Sequence, residues 1–267
     1  DAQAQLVQSE KMKVVGGLAS GVAHEVKNPL ATLLYGVTYL SQKLSERDAN
    51  VDSVMENMKQ AIEKANDIVT DLLNFASLAS VEKKKENLDE VIKGALSLVR
   101  HEFSRHHISV VKKIEKSLPP VMVDKNRIEQ VLINLILNAV HAMPDGGDVT
   151  IRAYNRTLSE DLEDMPQLRR DEFKPGQEIV ILTVEDGGCG IPEDKIDRIF
   201  DPFFTTRRGE GGVGLGLSVS KNIMDIHEGC IFVENKRDGG VRATLIFKVS
   251  TEKGGVPNGQ EENLNRR

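Results

Sequence analysis

Two apolar stripes of helical period occupy the first eighty residues of the chain. In the first stripe, Val and Leu recur at steps of three and four from Val15 to Leu44, and a similar series runs from Val51 to Phe75. This spacing places the apolar side chains on one face of an α-helix. A short polar break over residues 45–50 separates the stripes. The sequence therefore predicts an antiparallel helical hairpin over residues 1–80.

The apolar stripes of a single hairpin cannot be covered on all sides by two helices. A four-helix bundle, formed when two copies of the chain pair, completes their burial, so we expect a homodimer. Docking of the hairpin onto the rest of the same chain is the alternative that the pattern leaves open.

A charged stretch over residues 81–86 separates the hairpin from a region of different character. Helical patterns follow at 89–105 and 124–143, and strand patterns follow at 108–114, 121–123, 148–154, 178–185, 230–235 and 241–249. Interleaved strands and helices predict an α/β sandwich over residues 87–250, so the expected fold class is α plus α/β. An acidic segment over 155–177 is interpreted as a long hairpin insertion. The tail over 251–267 is expected to be disordered.

Charge and composition exclude several classes of function. The chain has 35 Lys and Arg against 41 Asp and Glu, a net charge of −6 without a long block of one sign. We therefore expect no nucleic-acid binding and no membrane contact by this part of the protein. Its two cysteines, Cys189 and Cys230, are too few for a disulfide framework or a thiolate metal site. No signal peptide or membrane-length apolar run is present, which predicts a cytoplasmic location.

A histidine stands on the polar side of the first predicted helix. His24 comes two residues after Val22 of the apolar stripe, about 200° around the helix, and is expected to be exposed. Glu25 follows it and Asn28 lies one turn further on. Pro29 interrupts the helical pattern and should bend the helix beside the histidine. An exposed imidazole next to a carboxylate suits a nucleophile with a base, although an ordinary proline kink gives the same pattern.

Two glycine-rich segments predict a nucleotide site. Asp186 ends a predicted strand and is followed by glycines, which let the backbone approach a flat ligand, while a buried carboxylate can accept a hydrogen bond from an exocyclic amine. The second segment, Gly209–Leu217, opens a predicted helix whose free N–H groups favour phosphate. The absence of a following Gly-Lys-Ser/Thr excludes a P-loop. Each segment alone is also compatible with a surface turn.

Two further features accompany the glycine segments: an asparagine pair before the first segment and a phenylalanine cluster between the two. Asn134 and Asn138 share one face of an otherwise apolar helix, where a bound metal–phosphate group would satisfy their amides. Phe200, Phe203 and Phe204 cluster in a chain with only 4% aromatic residues. We interpret their segment as the hinge of a mobile lid, with the three rings as docking groups; a satellite apolar cluster is the alternative.

Together these motifs resemble the catalytic core of bacterial sensor histidine kinases. The matching segments, in family order, are a phosphoacceptor motif at His24–Leu30, an asparagine motif at Asn134–Asn138, a first glycine motif at Asp186–Ile191, a phenylalanine motif at Ile199–Phe204 and a second glycine motif at Gly212–Leu217. The resemblance covers about residues 10–250. It implies a Bergerat-type ATP-binding domain, autophosphorylation by ATP, and phosphotransfer to an aspartate of a response-regulator receiver domain.

The resemblance also implies a role for each matching residue. His24 would attack the γ-phosphate of ATP through Nε2, with Glu25 as its base, and Asn28 would orient a water that dephosphorylates the regulator. Asn138 would hold Mg²⁺, with Asn134 as a further ligand or phosphate contact. Asp186 would recognise the adenine amino group. The other implied nucleotide contacts are His141, Gly188, Gly190, Ile191, Phe200, Thr205, Thr206, Gly212, Gly214, Leu215, Gly216 and Leu217.

Two positions depart from the family pattern. His141 stands where many relatives have a lysine, which puts one phosphate contact in doubt, and Gly187 stands where an asparagine is common. The alternatives are an ATPase of the gyrase, Hsp90 and MutL type, and a non-catalytic, nucleotide-sensing dimerisation scaffold. The former lack the His24 hairpin and usually have an acid at the position of Asn134. Because sensor kinases usually carry an upstream sensing region, the full-length protein is expected to be longer and can be membrane-anchored.

Overall fold

The computed structural model describes residues 26–41, 49–76, 81–159, 168, 173–206 and 214–250. His24, Glu25 and Gly212 lie outside the described residues, as do the bend expected beside His24 and the tail expected over 251–267.

The elements in chain order begin with two long helices and continue with strands and shorter helices. They are α1 (26–41), α2 (Ala49–Ala76), β1 (Lys84–Glu86), α3 (Leu88–Leu98), α4 (Arg100–Arg105), β2 (Ile108–Ile114), β3 (Val121–Val123), α5 (Lys125–His141), β4 (Gly147–Thr157), β5 (Glu178–Glu185), a 3₁₀ turn (Glu193–Arg198), α6 (Gly216–Ile226), β6 (Cys230–Asn235) and β7 (Val241–Lys248). Helical and mixed α/β parts follow one another, so the predicted fold class is confirmed.

Helices α1 and α2 pack through their apolar stripes. Val37, Met55 and Ile62 are buried between them. Other apolar side chains stay exposed in the single chain, among them Leu33 at 53% and Leu40 at 51%. This uncovered surface is what the dimeric bundle would bury, and the dimer itself stays a prediction. Within the described ranges, no helix is both long and apolar enough to cross a membrane.

A mixed sheet forms the centre of the second part of the chain. Its strand order is β2-β4-β5-β7-β6, with β2 parallel to β4 and the other pairs antiparallel. Helices α3, α5 and α6 cover one face, where the main apolar core lies. On the other face, Leu158, Leu168 and Phe173 of the acidic insertion pack with Ile179 and Ile181 of β5. The insertion therefore covers part of a sheet face that would otherwise be bare.

The structure corrects two local expectations. The helix predicted over 89–105 is interrupted at Val99, whose backbone (φ −98°, ψ 6°) separates α3 from α4. The charged stretch over 81–86, where no strand was predicted, contains β1, because Lys84–Glu86 pair antiparallel with Val121–Val123. The connection to the hairpin is thus attached to the sheet domain by backbone hydrogen bonds. Asp124 caps the start of α5, because its Oδ1 accepts from the N–H groups of Asn126 (3.1 Å) and Arg127 (3.2 Å).

Candidate nucleotide-binding site

A cleft of about 1240 Å³ opens between α5, α6 and the segment that follows β5. Its lining includes the sheet residues Val184, Val233 and Ala243 together with several polar side chains. A large, partly apolar pocket with a few converging polar groups is the usual form of a small-molecule site. Residues of β5, β6 and β7 line one end of this cleft, and residues of α5 and α6 line the other.

Asp186 stands at the sheet end of the cleft and is only 6% exposed. Its Oδ1 accepts hydrogen bonds from the N–H groups of Gly188 (2.8 Å) and Val241 (3.1 Å). Burial raises the pKa of this carboxyl above its usual value, while those two hydrogen bonds and the charge of Lys236 oppose the shift. Because Oδ1 is already engaged, Oδ2 is the oxygen available to accept a hydrogen bond from a ligand.

Gly188 lies where a side chain would collide with the neighbouring helix. A Cβ there would stand 2.5 Å from the carbonyl oxygen of Ala142, and the N–H of Cys189 reaches the same oxygen at 3.4 Å. This glycine lets the segment after β5 lie directly against the C-terminal end of α5. At Gly187, by contrast, no atom lies within 4 Å of the place that a Cβ would occupy.

Asn134 faces the cleft from α5 and is held by α6. Its Nδ2 donates to Oγ of Ser220 at 2.9 Å, and Gly216 lies so close to the amide that a Cβ there would overlap it. With Nδ2 engaged, Oδ1 is the atom left to accept or coordinate. Asn138, one turn further along α5, is exposed and lines the same cleft.

Both asparagines present amide oxygens, the hard donors that Mg²⁺ prefers, so the residues present fit this cation as ligands or as contacts to its phosphate partners. Among the described residues, no group of three or more His, Cys, Asp and Glu side chains could hold a metal. A magnesium ion here would therefore complete its coordination with phosphate oxygens and water.

His141 lines the cleft at the end of α5. Its ring meets that of His106 edge to face, with centroids 6.2 Å apart, and Nε2 of His106 lies 3.6 Å from Oε2 of Glu102. Arg105 lies beside them on α4 and also lines the cleft. His141 thus lies in a group of side chains that also contains Glu102, Arg105 and His106.

The three rings of the phenylalanine-rich segment lie in different surroundings. Phe200 packs against the main core and has Nζ of Lys221 5.5 Å from its ring centre, while Phe204 lines the cleft. Phe203 is 53% exposed, and its backbone has a positive φ of 64°. Gly214 (φ 74°) approaches this segment so closely that a Cβ would stand 2.5 Å from the carbonyl oxygen of Phe204. Its conformation and contacts both favour glycine.

The structure gathers most of the predicted nucleotide contacts around one cleft. Those that line it are Asn134, Asn138, His141, Asp186, Gly190, Ile191, Thr205, Thr206, Gly214, Leu215, Gly216 and Leu217. Gly188 and Phe200 are not among the residues that line it. Asn28 is exposed on α1 and does not line the cleft.

Two side chains at the edge of the site were not predicted from the sequence. Asn235, the last residue of β6, accepts from the N–H of Ile191 at 2.8 Å and donates to its carbonyl at 2.6 Å. Lys236 donates to the carbonyl of Asp186 at 2.9 Å. The only sequence signal was a polar pair at the end of a predicted strand, and such a pair usually marks nothing more than a turn.

Comparison with known families agrees with this arrangement. Residues 123–251 match the family described as "Histidine kinase-, DNA gyrase B-, and HSP90-like ATPase", and residues 15–80 match the "His Kinase A (phospho-acceptor) domain". The fold and cleft thus define the class of the second domain. The order of the two domains, together with the relatives below, shows that the chain belongs to the sensor histidine kinases and contains their catalytic core.

Individual relatives give the extent of the similarity. Sensor histidine kinase ZraS of Salmonella typhi is 31% identical over 242 residues, which are 91% of this chain and 47% of ZraS. The catalytic domain of histidine kinase ThkA is 30% identical, with a TM-score of 0.51, over 63% of this chain and 96% of that domain. ThkA in complex with the response regulator protein TrrA matches 95% of this chain and 67% of that chain, with 26% identity and a TM-score of 0.61. The chain spans about half the length of ZraS.

Proposed function

We propose that this chain binds ATP with Mg²⁺, transfers the γ-phosphoryl group to His24, and passes it on to an aspartate of a response-regulator receiver domain. The observation that carries the proposal is the opposition of two polar groups across one cleft. Asp186 offers a carboxylate oxygen at the sheet end, and Asn134 and Asn138 offer amide oxygens at the helical end. This arrangement separates recognition of a base from recognition of phosphates.

Asp186 would select the nucleotide base. Its free oxygen would accept a hydrogen bond from the exocyclic amino group of adenine, whereas guanine presents a carbonyl oxygen at the corresponding position. Gly190 and Ile191 supply the adjoining wall of the cleft. A buried acceptor that lacks its donor is costly, which makes the carboxylate a discriminating contact.

The helical end would hold the phosphates. Bound Mg²⁺ would neutralise charge on the phosphate oxygens, and Asn138 and Asn134 are the residues placed to hold it. The backbone at the start of α6 offers free N–H groups to the same phosphates. Arg105 and His141 line the same cleft, and the guanidinium of Arg105 adds positive charge there.

Transfer needs no covalent chemistry from the nucleotide domain itself. Nε2 of His24 attacks the γ-phosphorus, the bond to the β–γ bridging oxygen breaks, and ADP leaves with the electron pair. Glu25 polarises the Nδ1–H group. In the second step a carboxylate oxygen of the regulator attacks the phosphorus, and the bond to Nε2 breaks. Positioning and charge neutralisation are therefore the main contributions of the protein.

The hairpin and the regulator complete the proposal. The exposed apolar side chains of α1 and α2 support a homodimer, in which two hairpins form one bundle. A regulator partner is supported by the ThkA–TrrA complex, whose kinase this chain resembles. Asn28 would serve a phosphatase reaction toward that regulator. The location of the reaction would be the cytoplasm, whether or not the full-length protein has a membrane anchor.

The test is capture of acid-labile phosphohistidine after incubation with ATP and Mg²⁺. We expect the wild-type chain to be labelled and His24→Gln to lose the label. His101→Gln, which changes an exposed histidine of α4, is the matched control and should label normally. Equal labelling of wild type and His24→Gln would refute the proposal. Nucleotide binding without label would indicate the non-catalytic scaffold instead.

A further inference from the structure

The segment over residues 186–191 forms the base end of the cleft. It is supported by residues 235–241, which comprise the end of β6, the turn after it and the first residue of β7, and which are called the turn below. The two ends of that segment, Asp186 and Ile191, are each bonded to this turn by side chains that do not line the cleft. Neither residue in the turn was expected to have a role, and their geometry gives them one.

Asn235 makes a paired contact with a single residue of the segment. Its Oδ1 accepts from the N–H of Ile191 at 2.8 Å, and its Nδ2 donates to the carbonyl of Ile191 at 2.6 Å. One amide thus replaces both hydrogen bonds that a neighbouring strand would make. The backbone of Ile191 has no regular strand or helix to hold it, so this contact fixes its position.

The rest of the turn holds the other end of the segment. Nζ of Lys236 donates to the carbonyl of Asp186, and the N–H of Val241 donates to Oδ1 of the same residue. The N–H of Lys236 donates to the carbonyl of Gly240 at 2.9 Å and closes the turn, and Gly240 packs directly against the backbone of Asp186. The turn is therefore one rigid support for both ends of the base-binding segment.

The conformational freedom of Gly190 is the reason why this support matters. Gly190 lies between the two supported ends with φ 74°, and its open side faces Oδ1 of Asn235. A segment with several glycines loses more conformational entropy when it becomes ordered than a segment of other residues does. If the loop had no support, it would lose this entropy only when the nucleotide binds, at the expense of affinity. A loop ordered beforehand loses less on binding, which raises affinity.

We propose that Asn235 is a positioning residue for nucleotide binding, which orders the Gly190–Ile191 wall of the base pocket before the nucleotide arrives. This inference rests on the proposed function, since it assigns the base end of the same site. Because Asn235 holds Ile191 at the base end of the cleft, its loss affects affinity for the base and leaves the phosphate end unchanged.

The experiment compares Asn235→Ala with Asn155→Ala in the full chain. Asn155 also uses its Nδ2 to hold a neighbouring segment, through Oε1 of Glu178 at 3.1 Å, but lies outside the cleft. We expect Asn235→Ala to weaken ADP binding by about fivefold to tenfold, as loss of two hydrogen bonds of modest net value predicts. Pyrophosphate binding, labelling of His24 at saturating ATP, and the melting temperature should match those of Asn155→Ala.

Asn235→Asp provides a second, independent test. Aspartate keeps an acceptor for the N–H of Ile191 but removes the donor and places an oxygen against the carbonyl. We expect its ADP affinity to fall at least as far as that of Asn235→Ala. Unchanged ADP affinity in both variants would overturn the inference. A loss of pyrophosphate binding, of labelling at saturating ATP and of thermal stability that accompanies the loss of ADP affinity to the same extent would also overturn it. Failure of the wild-type chain to bind ATP would overturn the proposed function as well.

Discussion

The backbone N–H of Asp124 donates to Nε2 of His227 at 2.9 Å, across 103 residues of sequence. The other ring nitrogen of His227, Nδ1, lies 2.7 Å from the carbonyl of Ile223 and donates to it. His227 is 6% exposed. Asp124 begins α5 and accepts from the N–H of Glu82 at 3.1 Å. This histidine therefore joins the end of α6 to the start of α5, next to the connection that leads to the hairpin.

The first prediction is an acid-sensitive stability controlled by His227. Burial lowers the pKa of His227 below its ordinary value of 6.5, because a charged imidazole would be desolvated and would face a donor N–H. A histidine with a lowered folded pKa stabilises the fold above the unfolded pKa, and this stability is lost as pH falls through the folded pKa. The free energy of unfolding should therefore decline with acidification below about pH 6.5.

Glutamine at position 227 separates this effect from general acid denaturation. His227→Gln keeps an acceptor near Nε2 but cannot titrate, so the decline below about pH 6.5 should flatten. Stability near pH 7.5 should fall by about 1 kcal/mol because the bond to Ile223 is lost. Urea unfolding at several pH values measures both effects, with His101→Gln as the control. An unchanged slope in His227→Gln would show that other groups cause the decline.

Contacts of this kind mark the limit of what the sequence could predict. Strands β2, β5 and β6 were predicted with their observed bounds because β-branched and apolar runs define them locally. Strand β1 could not be found, since Lys84–Glu86 has no apolar alternation and exists by pairing with β3. The interruption at Val99 was equally hidden, because Val99 is buried and continues the spacing of the helix before it.

The candidate site divides in the same way. Asp186, Asn134 and the glycines were predicted as site residues because their types and spacing carry a chemical meaning. Asn235 was missed because its partner, Ile191, lies 44 residues away in sequence, and no local pattern records that contact. Ser220 was missed for the same reason, since an ordinary helical serine acquires its role only from the amide of Asn134.

The second prediction concerns two adjacent glycines with different surroundings. Gly188→Ala would place a methyl group 2.5 Å from the carbonyl oxygen of Ala142, so the segment or the end of α5 must move. Overpacking of this kind costs about 1–3 kcal/mol. Gly187→Ala is the matched control, because nothing lies within 4 Å of its new methyl group. ADP affinity should fall about tenfold or more in Gly188→Ala only. Equal affinity in the two variants would contradict the described packing.

The third prediction is a pH dependence of nucleotide affinity. Burial raises the pKa of Asp186, and an adenine amino group needs the ionised acceptor. A binding group of this kind is effective above its pKa, so affinity should decline as pH is lowered from neutrality through this raised value. Calorimetric titration with ADP at several pH values measures the decline.

Asp186→Asn tests the same carboxylate at constant pH. The variant keeps Oδ1 for Gly188 and Val241 but turns an NH₂ group toward the adenine amine, so two donors face each other. ADP affinity should fall at least about 100-fold while the melting temperature changes little. Retention of affinity in Asp186→Asn would remove this residue from base recognition.

The last prediction concerns the serine that orients the metal-side amide. Ser220→Ala removes the acceptor for Nδ2 of Asn134, which leaves the amide free to rotate and turn its NH₂ group toward the cation. Loss of such an orienting contact typically weakens metal affinity by about 10-fold or more. The concentration of Mg²⁺ needed for half-maximal labelling should rise accordingly, and excess EDTA should abolish labelling in every variant. Ser218→Ala is the matched control, since Oγ of Ser218 donates at 2.8 Å to the carbonyl of Leu215 on the same helix and does not contact Asn134. If both serine variants shifted the Mg²⁺ requirement equally, orientation of Asn134 would not be the cause.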